Sequence, residues 1–250
     1  MRILLTNDDG IHAPGLTVLE EIAHELSDDV WVCAPAEEQS GAGHSLTLHH
    51  PVRLREHGEK RYSVIGTPTD SVNLALRKLF AEKKPDLVLS GVNAGENLGD
   101  DITYSGTISA AMEAALAGIP AIGLSQAFRE NSPGFEAATK WGAKVLGPLI
   151  DMQMAKRTLV NVNFPPLAAD EVKGIRVVRQ GFHDYARGSL AEGTDPRGRK
   201  YYWFGLQDAE HTLDHGTDLE AVEDGYIAVT PLQLDLTNHS AISNLAERFG

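Results

Sequence analysis

Four short stretches of polar and small residues carry the side chains with which this chain can do chemistry. In the first, Thr6-Asn7-Asp8-Asp9-Gly10, two carboxylates stand next to each other. Adjacent carboxylates repel unless a cation lies between or beside them, and a hard dication such as Mg2+ takes oxygen ligands at about 2.0–2.1 Å. The same residues also read as an Asp-Gly turn in which Asp9 caps a following helix. The second, Glu37-Glu38-Gln39-Ser40-Gly41-Ala42-Gly43-His44-Ser45, puts the Ser40 hydroxyl among glycines, which let backbone N–H groups approach an anion. Taken alone it reads as a flexible loop. The third, Ser90 to Gly99, contains Asn93, whose carbonyl oxygen can join a cation shell without adding charge, and Asn97, whose amide can donate to a phosphate oxygen. Its alternative is a Gly/Asn turn. The fourth, Tyr104-Ser105-Gly106-Thr107, leads into an Ala-rich run. A helix N-terminus offers free N–H donors and a partial positive charge, which suit phosphate, and Ser105 and Thr107 add hydroxyl donors. Against this stands a simple N-cap.

The elements around these stretches decide whether they meet. Arg2 to Thr6 reads as a buried strand, and Pro14 opens a helix with Leu16, Leu19, Ile22, Ala23 and Leu26 on one face. Val30 to Cys33 is a strand, Val72 to Phe80 a helix capped by Thr69 or Asp70, Asp86 to Ser90 a strand, Ile108 to Ala117 a helix ending at Gly118, and Ala121 to Leu124 a strand. This alternation predicts an α/β fold with a doubly wound, mostly parallel sheet. In such a sheet all four stretches reach one rim, so that a cation site and an anion cradle lie side by side, as metal-assisted phosphoryl hydrolysis requires. Between Leu46 and Ile65 apolar and polar residues alternate, which predicts inserted antiparallel strands. Later segments read as a helix over Phe135 to Ile150, strands over Thr158 to Asn163 and Ile175 to Gln180, and an aromatic segment, Tyr201-Tyr202-Trp203-Phe204, suited to a projecting hairpin or a subunit contact. The acidic run Asp208 to Asp224 reads as solvated loop followed by a short helix, and not as a second metal site.

Composition narrows the partners. A net charge of −13 repels duplex nucleic acid and anionic membrane, yet leaves room for a small phosphate where a metal ion and backbone N–H groups reverse the sign locally. The single cysteine, Cys33, lies in an apolar run and reads as a buried strand residue. No apolar stretch approaches the roughly 20 residues that span a bilayer, and no signal-peptide core is visible. The expectation is a cytoplasmic protein.

The motifs Ile3-Leu4-Leu5-Thr6-Asn7-Asp8-Asp9-Gly10, Ser40-Gly41, Gly66-Thr67-Pro68-Thr69-Asp70, Ser90-Gly91-Val92-Asn93-Ala94-Gly95 and Tyr104-Ser105-Gly106-Thr107 resemble, in this order, the SurE family of survival proteins E, or 5′/3′-nucleotidases. The likeness extends to Tyr201-Tyr202-Trp203 and Thr230-Pro231-Leu232. It implies a single domain over residues 1–250. Residues 1–130 would form a Rossmann-like core with the metal site, and residues 131–250 the remaining core elements, a projecting hairpin and a C-terminal part used in oligomerisation. It further implies one divalent cation per subunit (Mg2+, Mn2+ or Co2+) on Asp8, Asp9, Ser40 and Asn93. Phosphate contacts map to Asn97, Ser105, Gly106 and Thr107. Dimers or tetramers exchanging C-terminal segments are implied as well, with nucleoside 5′- and 3′-monophosphates, and sometimes polyphosphate, as substrates.

On this reading Asp8 or Asp9 orients an attacking water and takes its proton, with Asp8 preferred, while His12 and His44 lie near the site loops and are candidates to assist a leaving group. Three alternatives compete. A nucleotide-cofactor redox enzyme needs a G-x-G-x-x-G turn after the first strand, where this chain has Asn7-Asp8-Asp9-Gly10. A metal or nucleotide sensor shares the binding residues without turnover. A haloacid-dehalogenase-type phosphatase expects two Asp separated by one residue, not adjacent.

Overall fold

A computed structural model describes residues 1–183, 188–206 and 214–249. The first strand, β1 (Arg2–Thr6), is followed by α1 (Pro14–His24) and β2 (Asp29–Pro35). A hairpin of β3 (Arg53–Gly58) and β4 (Arg61–Ile65) leads to α2 (Pro68–Leu74), β5 (Leu87–Ala94), α3 (Gly106–Leu116) and β6 (Ala121–Gln126). Then come α4 (Glu136–Ile150), β7 (Thr158–Phe164), β8 (Ile175–Val177), the strands β9 (Gly188–Thr194) and β10 (Lys200–Leu206), α5 (Asp218–Glu223), β11 (Ile227–Gln233) and α6 (Ile242–Phe249).

One nine-stranded sheet takes strands from both halves of the chain in the order β3-β4-β2-β1-β5-β6-β7-β11-β8. Strands β4 through β7 are parallel, whereas β3 and β11 run antiparallel to β4 and β7. Alternation along β1 builds both layers. Ile3 and Leu5 face α1 and α4, where they join Leu16, Leu19, Ile22, Val145 and Leu146. Leu4 faces the other way, with Cys33, Val72, Ile108 and Ala111 under α2 and α3. The chain goes from β1 outward to β2 and β4, then returns to the other side of β1 with β5. The order therefore reverses between β1 and β5, and the crevice at their carboxyl ends is where open α/β sheets bind ligands.

Several expected boundaries shift for local reasons. The second helix starts at Pro68, not Val72. Thr67 is its cap, with a side chain that accepts from the Asp70 N–H while Asp70 accepts from the Thr67 N–H, so Asp70 closes a capping box from inside the helix. Beyond Leu74 the helix loosens into a π-helical stretch, Ala75–Leu79. The strand expected over Asp86 to Ser90 runs on to Ala94 through a bulge between Ser90 and Asn93, so Asn93 sits in a strand and not in the loop after it. Leu46 and Leu48 lie outside β3 and are exposed, and the strand expected to reach Gln180 stops at Val177. The aromatic segment forms the hairpin β9–β10, apart from the main sheet. The start of the acidic run, residues 208–213, and with it His211, lies outside the described residues.

Helix α1 reaches the crevice by packing onto β5 at Gly15. A Cβ at Gly15 would stand 1.9 Å from the Val92 carbonyl oxygen, so only glycine permits this approach. Gly15→Ala is expected to lower stability by about 1–3 kcal/mol, the usual effect of overpacking, measured as a reduced urea midpoint. An unchanged midpoint would mean that the helix does not need this close approach.

Candidate active site

The carboxyl end of β1 turns sharply because the Asn7 side chain clips it. Its Nδ2 donates to Gly10 O at 2.9 Å and its Oδ1 accepts from Gly10 N at 3.2 Å. Asp8 and Asp9 meet different partners. Asp8, 4% exposed, points toward α3, where its carboxylate accepts from the Thr107 hydroxyl and the Thr107 backbone N–H. Asp9 points toward β5 and accepts from Ala94 N at 3.3 Å. The alternative in which Asp9 caps the next helix does not hold: Ala13 occupies the N-cap of α1, without a side-chain cap.

Loop 36–51 closes over this turn. Gln39 N donates to Asp8 O at 2.8 Å and Gly43 N to Tyr104 O at 3.2 Å, which lays Ser40 beside the carboxylates. Ser40 Oγ donates to Glu38 Oε1 at 2.9 Å. Asn93 turns its Nδ2 onto Gly95 O at 2.8 Å, which leaves Oδ1 as its outward acceptor. A cavity of about 390 Å³ opens on the α1 side of Asp9, between Pro14, Glu38, Ser40, Ala94 and Phe135.

On the other side of Asp8 stands the N-terminus of α3. Ser105 is its N-cap, with Oγ accepting from Ile108 N at 3.1 Å. The simple N-cap reading is thus correct for the Ser105 oxygen, while the hydroxyl hydrogen remains a donor. Gly106 packs against Asp8 so closely that a Cβ there would meet Asp8 Cβ at 2.7 Å and Oδ2 at 2.9 Å. Thr107, fully buried, directs its hydroxyl at Asp8. Asn97 is buried one loop away, where its Nδ2 donates to Ser125 Oγ at 2.8 Å.

Electrostatically the turn is under load. Burial pushes the Asp8 carboxyl above its ordinary range, against the pull of the Thr107 hydrogen bonds. Burial, and next the charge of Asp8, push Asp9 up to about 6. Glu38, to which the sequence assigned no role beyond its loop, adds repulsion to both. Among the described residues no group of three or more His, Cys, Asp and Glu side chains comes together as a metal site. The side chains of Asp8, Asp9, Ser40 and Asn93 offer oxygen donors, the ligand type of a hard dication, and not the His and Cys of a zinc site.

The histidines part company from the carboxylates. His44 Nε2 lies 3.2 Å from Glu113 Oε2 on α3, and His12 is exposed with its ring against that of His57. His215 and His239 pair with Glu220 and Asp235, and His183 lies against Leu98 O. The acidic run is not wholly a solvated face. Asp218 is fully buried, and its carboxylate accepts from Gly99 N at 3.0 Å and Gly181 N at 2.7 Å.

Fold and turn together define a doubly wound α/β protein with paired carboxylates at its switch point, facing a helix N-terminus. A family model described as survival protein SurE matches residues 3–187. The chain is 69% identical over its whole length to a protein of Erythrobacter litoralis that is named 5′-nucleotidase SurE and is itself fully covered. It is 57% identical to a protein of the same name from Rhizorhabdus wittichii, over 97% of each chain. The crystal structure of the SurE protein from Aquifex aeolicus superposes with a TM-score of 0.87 at 42% identity, covering 100% of both chains. The chain belongs to the SurE family.

Both Asp8 and Asp9 hold protons more tightly in the fold than in the unfolded chain. Without a cation the fold therefore loses stability as pH rises from the ordinary Asp range, near 3.9, through about 6. In chelator at about pH 7.5, Asp9→Asn is expected to melt higher than wild type by on the order of a few degrees. The gap should close near pH 4, where the native carboxyls are protonated, and the variant should lose most of the stabilisation that added Mg2+ or Mn2+ gives wild type. A variant that melts no higher than wild type at neutral pH would show that the pair is not under repulsion.

Proposed function

We propose that this chain is a 5′-nucleotidase, a phosphoric monoester hydrolase that releases inorganic phosphate from nucleoside 5′- and 3′-monophosphates and from short polyphosphate. The observation that carries this reading is the desolvated Asp8–Asp9 pair set against the N-terminus of α3. It supports reading an all-oxygen cation site beside an anion site at the switch point. The relatives' name, 5′-nucleotidase SurE, agrees with it.

Asp8, Asp9, Ser40 and Asn93 would hold one divalent cation, Mg2+, Mn2+ or Co2+. Such an ion supplies Lewis-acid polarisation of a phosphoryl oxygen and makes water more acidic. The chain's own groups do the rest. The Gly106 N–H at the start of α3 and the Ser105 hydroxyl receive equatorial phosphate oxygens, while the helix dipole favours negative charge there. Asn97 donates to the same group. Thr107 contributes its backbone position while its hydroxyl orients Asp8. Asp9, the more exposed of the pair, is the better placed to take a proton from the attacking water. No G-x-G-x-x-G turn follows β1, so the redox alternative lacks its phosphate cradle.

We read the chain as one cytoplasmic domain that self-associates into a dimer or tetramer. One sheet takes strands from both halves, Cys33 is a free buried thiol, and no helix among the described residues is long and apolar enough to cross a membrane. Self-association is supported by two uncovered apolar surfaces: the β9–β10 hairpin, where Trp203 is 70% and Phe204 90% exposed, and α6, where Phe249 is 88% exposed.

The test is phosphate release from a panel of nucleoside monophosphates with Mg2+, Mn2+ or Co2+. Activity should vanish in chelator and return with metal, and Asp9→Asn should lower kcat/KM by ~100-fold or more. Tight nucleotide binding without phosphate release would favour the sensor. Sedimentation velocity tests assembly: wild type should run as a dimer or larger, and Trp203→Ser/Phe204→Ser should shift it toward monomer. A monomeric wild type would refute self-association.

A further inference from the structure

Outside the carboxylate pair, a buried polar cluster lies beneath the loop that follows β5. Asn97 is only 7% exposed, and its backbone belongs neither to a strand nor to a helix, so its peptide groups need partners from elsewhere. Strand β7 supplies them with two side chains. Asn163 Oδ1 accepts from Asn97 N at 2.8 Å, while Asn161 Nδ2 at 2.8 Å and Asn163 Nδ2 at 3.2 Å both donate to Asn97 O. The two amides are also tied to each other, Asn163 Nδ2 donating to Asn161 Oδ1 at 3.1 Å. Residues i and i+2 of a strand project on the same face, which is why two asparagines at this spacing can hold both the N–H and the C=O of one residue. Ser125, the register partner of Asn163 on β6, then fixes the Asn97 side chain by accepting from Nδ2 at 2.8 Å. Two residues further on, Gly99 N is held by the buried Asp218.

A protein that only needed to fill this space would do so with apolar side chains, since buried amides are favourable only when every donor and acceptor finds a partner. Here their hydrogen bonds converge on one residue. We propose that Asn163 and Asn161 are positioning residues for phosphate recognition: they clamp the Asn97 backbone, and Ser125 orients its amide, so that the remaining amide hydrogen is presented to a phosphate oxygen. The proposal rests on the reading of Asn97 as a phosphate contact. It assigns strand β7, far along the chain from Asp8 and Asp9, a part in binding the substrate's phosphoryl group.

The experiment measures KM and kcat for a nucleoside 5′-monophosphate and competitive inhibition by inorganic phosphate. Full-length wild type, Asn97→Ala, Asn163→Ala, Ser125→Ala and the Asn97→Ala/Asn163→Ala pair are compared, each also melted. Asn163→Ala should raise KM and the phosphate inhibition constant about tenfold. Ser125→Ala should move both the same way by a smaller factor while melting within about 2 °C of wild type. The double variant should be no worse than Asn97→Ala alone, because one residue acts through the other. If Asn97→Ala weakens phosphate but Asn163→Ala and Ser125→Ala bind it like wild type, or if the double variant is additive, the clamp is refuted and the role of Asn97 stands. If Asn97→Ala itself binds phosphate normally, the phosphate reading falls and takes the clamp with it. Should Asn163→Ala fail to fold, Ser125→Ala decides alone.

Discussion

Repulsion between two carboxylates removed from water is the constraint around which this molecule is arranged. Asp8 and Asp9 are consecutive in sequence, so no conformation can carry them far apart. The Asn7 side chain clips the turn that carries them to Gly10. Each then meets a partial compensation, Asp8 at the Thr107 hydroxyl and N–H, Asp9 at the Ala94 N–H. Both remain shifted toward the neutral form, which shows that these hydrogen bonds do not offset burial. The residual imbalance is what a dication bound by oxygen ligands would relieve.

The topology makes the arrangement possible. Because the strand order reverses between β1 and β5, no crossover covers their carboxyl ends, and loops from β1, β2 and β5 converge there with the start of α3. Small residues do the fitting: Gly15 lets α1 lie on β5 and Gly106 lets α3 come up against Asp8. Main-chain bonds from Gln39 to Asp8 and from Gly43 to Tyr104 tie the loop carrying Ser40 to the same rim.

Most of this was legible in the sequence where chemistry and periodicity agree. Apolar runs marked the central strands, Pro14 marked a helix start, and the order of elements implied the rim on which the polar loops meet. Boundaries slipped where tertiary contacts outweighed local pattern, as at Thr67, whose capping box depends on Asp70 inside the helix, and at Asn93, which a bulge keeps in the sheet. Asn161 and Asn163 read only as part of a strand. Their i, i+2 spacing was visible, but nothing in a linear sequence shows that the loop at Asn97 lies above them. Asp218 was hidden for the same reason: in a run rich in acids, burial of one member is a property of the fold. Glu38 was noticed as part of a loop, yet its influence on the pair depends on a distance that only the folded chain defines.

The bond from Gly99 to Asp218 spans 119 residues, and those from Asn97 to Asn161 and Asn163 span 64 and 66. A chain emerging from the ribosome with its first five parallel strands complete would already own the acidic turn and the helix start, but not the side chains that hold the Asn97 loop. Contacts of this range form late, since loop closure must be met before they reward it. Full organisation of the pocket thus waits on the last third of translation, and an incomplete nascent chain exposes the acidic turn before the neighbouring loop is set.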